Sequence, residues 1–250
     1  MKKDKLFFLL GGADLEMQTI REILLENGIS FADHQLQWNN AVLSSYRKEL
    51  EQLGDSRMIY GVELQEDMLP PANYHAIDHH NQLSSMPSAL EQVMDLLHIP
   101  MNRYKQLVAI NDRAYIPGMM SLGATAEEIE SIRLADRKAQ GVTDEEERLA
   151  QKAIAENKEE VNGLLVVRTD NTKFSPICDR LFPYRELLVY TDYEWVYYGE
   201  RAEQVRMMFS EEYASGNLYY GGGEHGYVGV KKNTYSSSGI YDMVCKIKKR

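Results

Sequence analysis

The chain has 250 residues, 44% of them apolar and 26% charged, and a formal net charge of -10. That length suits one large domain or two small ones with ample core, and the composition is ordinary for a soluble globular protein. An acidic surface repels a long polyanion unless basic residues cluster locally, so a small substrate or a metal-screened site is expected and long nucleic acid is not. The two cysteines, Cys178 and Cys245, are far apart, offer no metal spacing and fit a reducing compartment. The apolar run Leu6–Leu10 is too short for a signal segment and nothing approaches a membrane span. A cytoplasmic location with no membrane partner is therefore expected.

Leu6–Leu10, closed by Gly11-Gly12, has the pattern of a strand buried on both faces. Asp14 opens a helix with Ile20, Ile23 and Leu24 on one face and Gly28 as its stop. Strand, glycine turn and helix make the first half of a βαβ unit, in which ligands collect beyond the carboxyl ends of the strands. Asp14 and Glu16 sit at that end, although for the pair taken alone an N-cap and a first-turn acid are the favoured account. Ile29–His34 is a candidate second strand. Trp38-Asn39-Asn40, which fits no general pattern, leads into an expected helix over 41–53 with Val42, Tyr46, Leu50 and Leu53 inward. Met58–Leu64, carrying Glu63 near its end, and Tyr74–Ile77 are the third and fourth strands. Pro87 and Ser88 start a helix through Leu97 with Leu90, Val93 and Met94 on its stripe. Strands alternating with helices argue for a parallel sheet. The strand ends near Asp14, Glu63 and Asp78 would then meet on one edge.

Tyr104–Ile110 reads as helical, ending in Asn111-Asp112-Arg113. There Asp112 is either a helix-terminal polar residue or a carboxylate for a cation, and Arg113 offers a guanidinium for a phosphate. Ile116–Leu122 is a short turn of helix. Thr125-x-x-Glu128 and Thr143-x-x-Glu146 are capping boxes that open two helices, the first to about Gln140 and the second to about Asn157. Their many charges read as a solvated face, and the pair as a bridge between two domains. Three regions follow: 1–124, a 125–160 helical linker, and 161–250. In the last, Leu164–Val167, the hairpin Leu187–Tyr190 with Trp195–Tyr198, a helix over 202–213 and a final strand over 241–246 make a small mixed or antiparallel α/β domain. The basic residues at 246–250 read as a solvated tail. Gly221, Gly222 and Gly223 can bring backbone N–H groups close to an anion, with His225 beside them, or can form a tight turn between strands.

Asp78-His79-His80 leaves the fourth strand. Imidazole is the commonest metal-ligating side chain, and an adjacent aspartate can orient a ring or share a cation. The alternative is a polar strand end with solvated histidines. Successive strand residues face opposite sides, so His79 and His80 cannot share one role within a strand.

Together these residues resemble the DHH phosphoesterase superfamily, which includes single-strand exonucleases, oligoribonucleases, cyclic dinucleotide hydrolases and manganese-dependent pyrophosphatases. The tripeptide Asp78-His79-His80 is the specific match. Resemblance implies a Rossmann-like parallel-sheet DHH domain, a helical linker and a smaller C-terminal α/β domain that closes over a cleft. It implies metal ligands at Asp14, Glu16, Glu63, His79 and Asp112 for one or two Mn2+ or Mg2+ ions. His80 would then contact phosphate with Asp78 beside it, while Arg113, Gly221, Gly222, Gly223 and His225 would hold the substrate. The expected activity is hydrolysis of a phosphodiester or phosphoanhydride bond in a small nucleotide, short oligonucleotide or inorganic phosphate compound, with a homodimer possible. The first motif departs from the family pattern: Glu16 replaces an aspartate and Leu10 a histidine. A degenerate nucleotide sensor is therefore the alternative. Tyr219, Tyr220 and Tyr227 could stack a base, or serve in packing.

Overall fold

The structure, a computed structural model, describes residues 3–222 and 226–249. Its described residues divide into two compact units, one up to Gly141 and one from Val142 onward. No helix among the described residues is long and apolar enough to cross a membrane.

The first unit is built on four parallel strands: β1 (Leu6–Leu10), β2 (Ser30–Asp33), β3 (Met58–Val62) and β4 (Tyr74–Ile77). Their order in the sheet is β2-β1-β3-β4. Inner strand β1 buries Phe8, Leu9 and Leu10 completely. This is why it reads as an unbroken apolar run, since a parallel strand with both faces covered has no solvent side to alternate toward. After β1 the chain turns into α1 (Leu15–Glu26), whose N-cap Asp14 accepts a 2.9 Å bond from the Met17 N–H. The helices α3 (Ala89–Leu96), α4 (Arg103–Ser121) and α5 (Ala126–Ala139) complete the unit, and α1 packs against all three. Ser88 and Thr125 each close a full capping box with Glu91 and Glu128.

Three expectations change here. The helix expected over 41–53 is only α2 (Arg47–Leu53), preceded by short 3-10 turns at Trp38–Asn40 and Leu43–Tyr46. Val42 is extended and bridges in parallel to Gln65. The spacing of Val42, Tyr46 and Leu50 mimics a helical stripe, but backbone bonds to Gln65 claim residues 41–43 instead. The helix expected to end at Ile110 runs on through Asp112 and breaks at Ala114 and Tyr115, the latter at φ 54. Pro117 lacks the N–H that a continuous helix would donate to Arg113, and its ring crowds that carbonyl. Finally, the charges of the helical pair are not all solvated: Arg133, Asp136, Arg137 and Glu147 are buried. Arg133 donates to Asp136 at 2.6 Å and to Asn111 at 2.9 Å, and the Leu15 N–H donates to Asp136 at 3.2 Å.

The second unit holds α6 (Asp144–Asn157) and a six-stranded mixed sheet. Its strands are β5 (Lys158–Val161), β6 (Leu164–Arg168), β7 (Glu186–Tyr190), β8 (Trp195–Gly199), β9 (Leu218–Gly221) and β10 (Tyr227–Val230), in the order β5-β6-β7-β8-β10-β9. Only the β6–β7 pair is parallel. Leu187 and Val189 face α6 and α7 (Ser175–Leu181), while Leu188 and Trp195 face α8 (Ala202–Met208) and α10 (Ser237–Lys248). The strand expected over 241–246 is thus part of α10, with Ser236 as N-cap and Ile240, Met243, Val244 and Ile247 buried. Those four positions repeat at i, i+3, i+4 and i+7, a helical stripe that outweighs the β-preference of Tyr241 and Val244. Lys248 sits in that helix, paired with Glu159, rather than in a free tail.

Candidate metal centre

Four elements deliver side chains to one point at the carboxyl edge of the parallel sheet. Glu63 follows β3 in a left-handed conformation, φ 52, and its N–H donates to Ile77 at 2.8 Å. Close approach of the loop after β1 is possible because Gly11 has no Cβ; one built there would overlap the Val62 and Glu63 carbonyl oxygens. After β4, Asp78 gathers the turn: its Oδ1 accepts from the His79 N–H at 2.7 Å and the His80 N–H at 2.9 Å, and lies 3.0 Å from His80 Nδ1. That turn directs His79 inward, where it is 6% exposed. From α4 comes Asp112, from the first turn of α1 comes Glu16.

His79 Nε2 lies 2.7 Å from Asp112 Oδ2, 3.1 Å from Glu63 Oε1 and 3.7 Å from Glu16 Oε2. All four of these atoms are buried and none has a hydrogen-bond partner of acceptable direction among the described residues. Close approach without alignment is not a hydrogen bond, so these four atoms remain unsatisfied by one another. Burial, the largest influence, together with the charges of Glu16, Asp112 and Asp14 raises the Glu63 carboxyl well above the ordinary range, against the contact with His79. Burial disfavours the His79 imidazolium, but Asp112, Glu16 and Glu63 outweigh it and push that group up to about 12. The buried negative charge around His79 thus favours a cation at this point.

Glu63, His79, His80 and Asp112 each offer a ligand atom within 4.8 Å of the others. Glu16 is only half engaged: its Oε1 accepts from the Leu90 N–H at 3.1 Å, leaving Oε2 toward His79. Asp14 is outside that set of four. It caps α1, is buried, and its carboxyl is raised to about 7 by burial, against the Met17 N–H and with the charges of Asp112, Asp136 and Glu16. Leu10, at the position where the resembled first motif has a histidine, is a fully buried core residue. Arg113 pairs with Glu91 at 3.2 Å and lines a groove with Gln106, Ile110 and Leu122.

In the second unit Gly221 ends β9 opposite Tyr227, and a Cβ there would lie 2.8 Å from the Tyr227 hydroxyl, so the missing side chain accommodates a ring. Gly222 follows at φ 84. Gly223 and His225 lie outside the described residues. Sequence reasoning singles out Trp38-Asn39-Asn40 without a role for it, and the Trp38 indole meets His80 edge-on at 4.9 Å; it does not foresee the buried Asn111–Arg133–Asp136 network. Only the unusual density of charge in 125–140 hinted at the network.

No family model matches the sequence, and no curated protein matches it. Solved structures do. The DHH domain of PF0399, described as a member of the s1p family of ribosomal proteins, superposes with a TM-score of 0.52 at 10% identity, over 99% of this chain and 87% of that one. PggH, a pGpG-specific phosphodiesterase from Vibrio cholerae, gives 0.49 at 10% identity over 99% of both chains. Exonuclease RecJ bound to manganese gives 0.44 at 13% identity over 100% of this chain and 91% of that one. With Asp78-His79-His80 leaving the fourth parallel strand and 87% of the PF0399 DHH domain chain matched, this chain has the fold of a DHH domain.

Proposed function

We propose that this protein is a metal-dependent hydrolase of phosphodiester or phosphoanhydride bonds in a small nucleotide, a short oligonucleotide or an inorganic phosphate compound. One observation carries the reading: His79 Nε2 and oxygens of Asp112, Glu63 and Glu16 converge, buried, with no hydrogen-bond partner among the described residues. Such a cluster is costly uncompensated, and a divalent cation is the partner its donors fit. Three carboxylates to one imidazole is an oxygen-rich set, which favours manganese or magnesium over zinc.

Glu63, His79 and Asp112 would hold the ion, with Glu16 and His80 in reach for it or for a second. A divalent ion bound there supplies a Lewis acid that acidifies water and offsets charge on a phosphoryl group. The chain's own side chains bind and orient. Asp78 holds the turn rigid through three contacts and orients the His80 ring, whose Nε2 would meet a phosphate oxygen when it carries a proton to donate. His80 is one-third exposed and so can meet substrate, whereas His79 cannot. The acidic surface favours a small substrate over a long strand.

A nucleotide sensor without turnover is the second reading, and the buried Leu10 favours it because it removes a nitrogen ligand. Metal analysis of the purified protein, with a screen of small phosphodiesters and pyrophosphate in manganese, tests both. Bound metal with turnover is the expected result. Metal and nucleotide binding without product over hours would favour the sensor, and neither metal nor turnover would end both.

A further inference from the structure

Segment 34–42 runs from the end of β2 to the residues that follow β3. It leaves β2 at Asp33 and docks through the Val42–Gln65 bridge, the Leu43 N–H donating to Gln65 at 2.9 Å and the Gln65 N–H to Ala41 at 2.8 Å. Both ends are thereby tied to the sheet. Midway, the turn at Trp38–Asn40 brings the Trp38 indole against His80, ring centroids 4.9 Å apart and planes at 72°. His80 in turn lies against His79, centroids 4.3 Å apart, and its Nδ1 is 3.9 Å from Glu63 Oε1. A large aromatic side chain thus stands one ring away from the carboxylate–histidine cluster.

Trp38 is not a core residue. Half of its surface is open, whereas Trp195, the chain's other tryptophan, is fully buried. Leaving an indole open forgoes the hydrophobic gain of burying it, and a rigid π-face beside a phosphate site is what a base needs. We infer that Trp38 is a nucleobase platform: a base stacks on the open side of the indole while its phosphate reaches the cluster past His80. The inference rests on the phosphoesterase reading and deepens it, selecting nucleotides over pyrophosphate and other base-free phosphates. Every base has a π-face, so the platform selects for the presence of a base and not for its identity.

Calorimetric titration of the full chain in magnesium, with guanosine 5′-monophosphate and with ribose 5-phosphate, tests it. Trp38→Ala weakens the nucleotide about tenfold or more, in keeping with a lost stacking partner, and changes ribose 5-phosphate by less than about twofold. Trp38→Phe keeps most of the nucleotide affinity. The nucleotide also quenches tryptophan emission in the wild type but not in Trp38→Phe, because Trp195 is shielded. Equal weakening of both ligands, no weakening of either, a wild type that binds both alike, or quenching that persists in Trp38→Phe would each overturn the inference. Failure of the hydrolase reading looks different: no phosphodiester is turned over in manganese, while Trp38-dependent nucleotide binding survives.

Discussion

Gly11 lies so close to Glu63 that a Cβ on Gly11 would stand 2.7 Å from the Glu63 carbonyl carbon. The contact presses the turn after β1 onto the one residue that leaves β3 with a positive φ, 52, and that carries a cluster carboxylate. Gly11→Ala is expected to destabilise the protein by about 1–3 kcal/mol through overpacking and to weaken manganese binding by moving Glu63. Urea unfolding and manganese titration of the variant check this. Wild-type values in both would show that the backbone there yields freely.

Manganese should raise the melting temperature of the wild type, since a ligand present at a hundred times its dissociation constant contributes about 2.7 kcal/mol. His79→Ala removes the nitrogen at the centre of Asp112, Glu63 and Glu16. Its thermal shift with manganese should vanish, and manganese-dependent hydrolysis should drop about a hundredfold or more. Differential scanning fluorimetry with and without EDTA reads the first effect, product release the second. Full activity in this variant would end the metal-centre account.

Asp136 is a structural prediction. It is buried and accepts from Arg133, from the Leu15 N–H that begins α1 and from Gln140. Asp136→Ala takes a charged partner from buried Arg133 and should cost about 3–5 kcal/mol. Asp136→Asn keeps the acceptor oxygen and should cost less. Denaturant midpoints decide, and an unchanged Asp136→Ala midpoint would exclude a role for the network in stability.

Cys178 provides a pH test in the second unit. Burial, followed by the Asp179 charge, pushes its thiol from 9.0 up to about 12. The folded state therefore keeps a proton that the unfolded state releases as pH rises above 9. Stability should be unaffected by this group below pH 9 and fall by up to about 1.4 kcal/mol per pH unit between there and 12. Subtracting the Cys178→Ala profile isolates that slope from the tyrosines. A thiol reagent at neutral pH should label Cys245, which is partly exposed, and reach Cys178 only on unfolding.

Much of the first unit could be read from local pattern. The run Leu6–Leu10, the cap at Asp14, the box at Thr125 and the tripeptide after Tyr74–Ile77 each lie within a few residues and have one favoured geometry. Segment 41–53 departs from the expected helix: Val42, Tyr46 and Leu50 satisfy helical spacing whether or not residues 41–43 are helical, and the bonds to Gln65, distant in sequence, settle the matter. In 237–248 the helical stripe was present, but Tyr241, Val244 and their neighbours resemble a strand when the cap at Ser236 is overlooked.

Residue types sufficed to say that carboxylates and imidazoles stood at strand ends and that a cation would suit them. Which of them share a centre was a matter of packing across the sheet. Periodicity reports which side of an element is apolar, but not how far α4 runs before Pro117 breaks it or where α1 docks. Those placements bring Asp112 and Glu63 onto His79, hold Glu16 half engaged through Leu90, leave Asp14 as a cap and turn Arg113 toward Glu91. Burial then supplies the chemistry, because carboxylates and an imidazole withdrawn from water need a charge to share, whereas the same side chains in solvent do not.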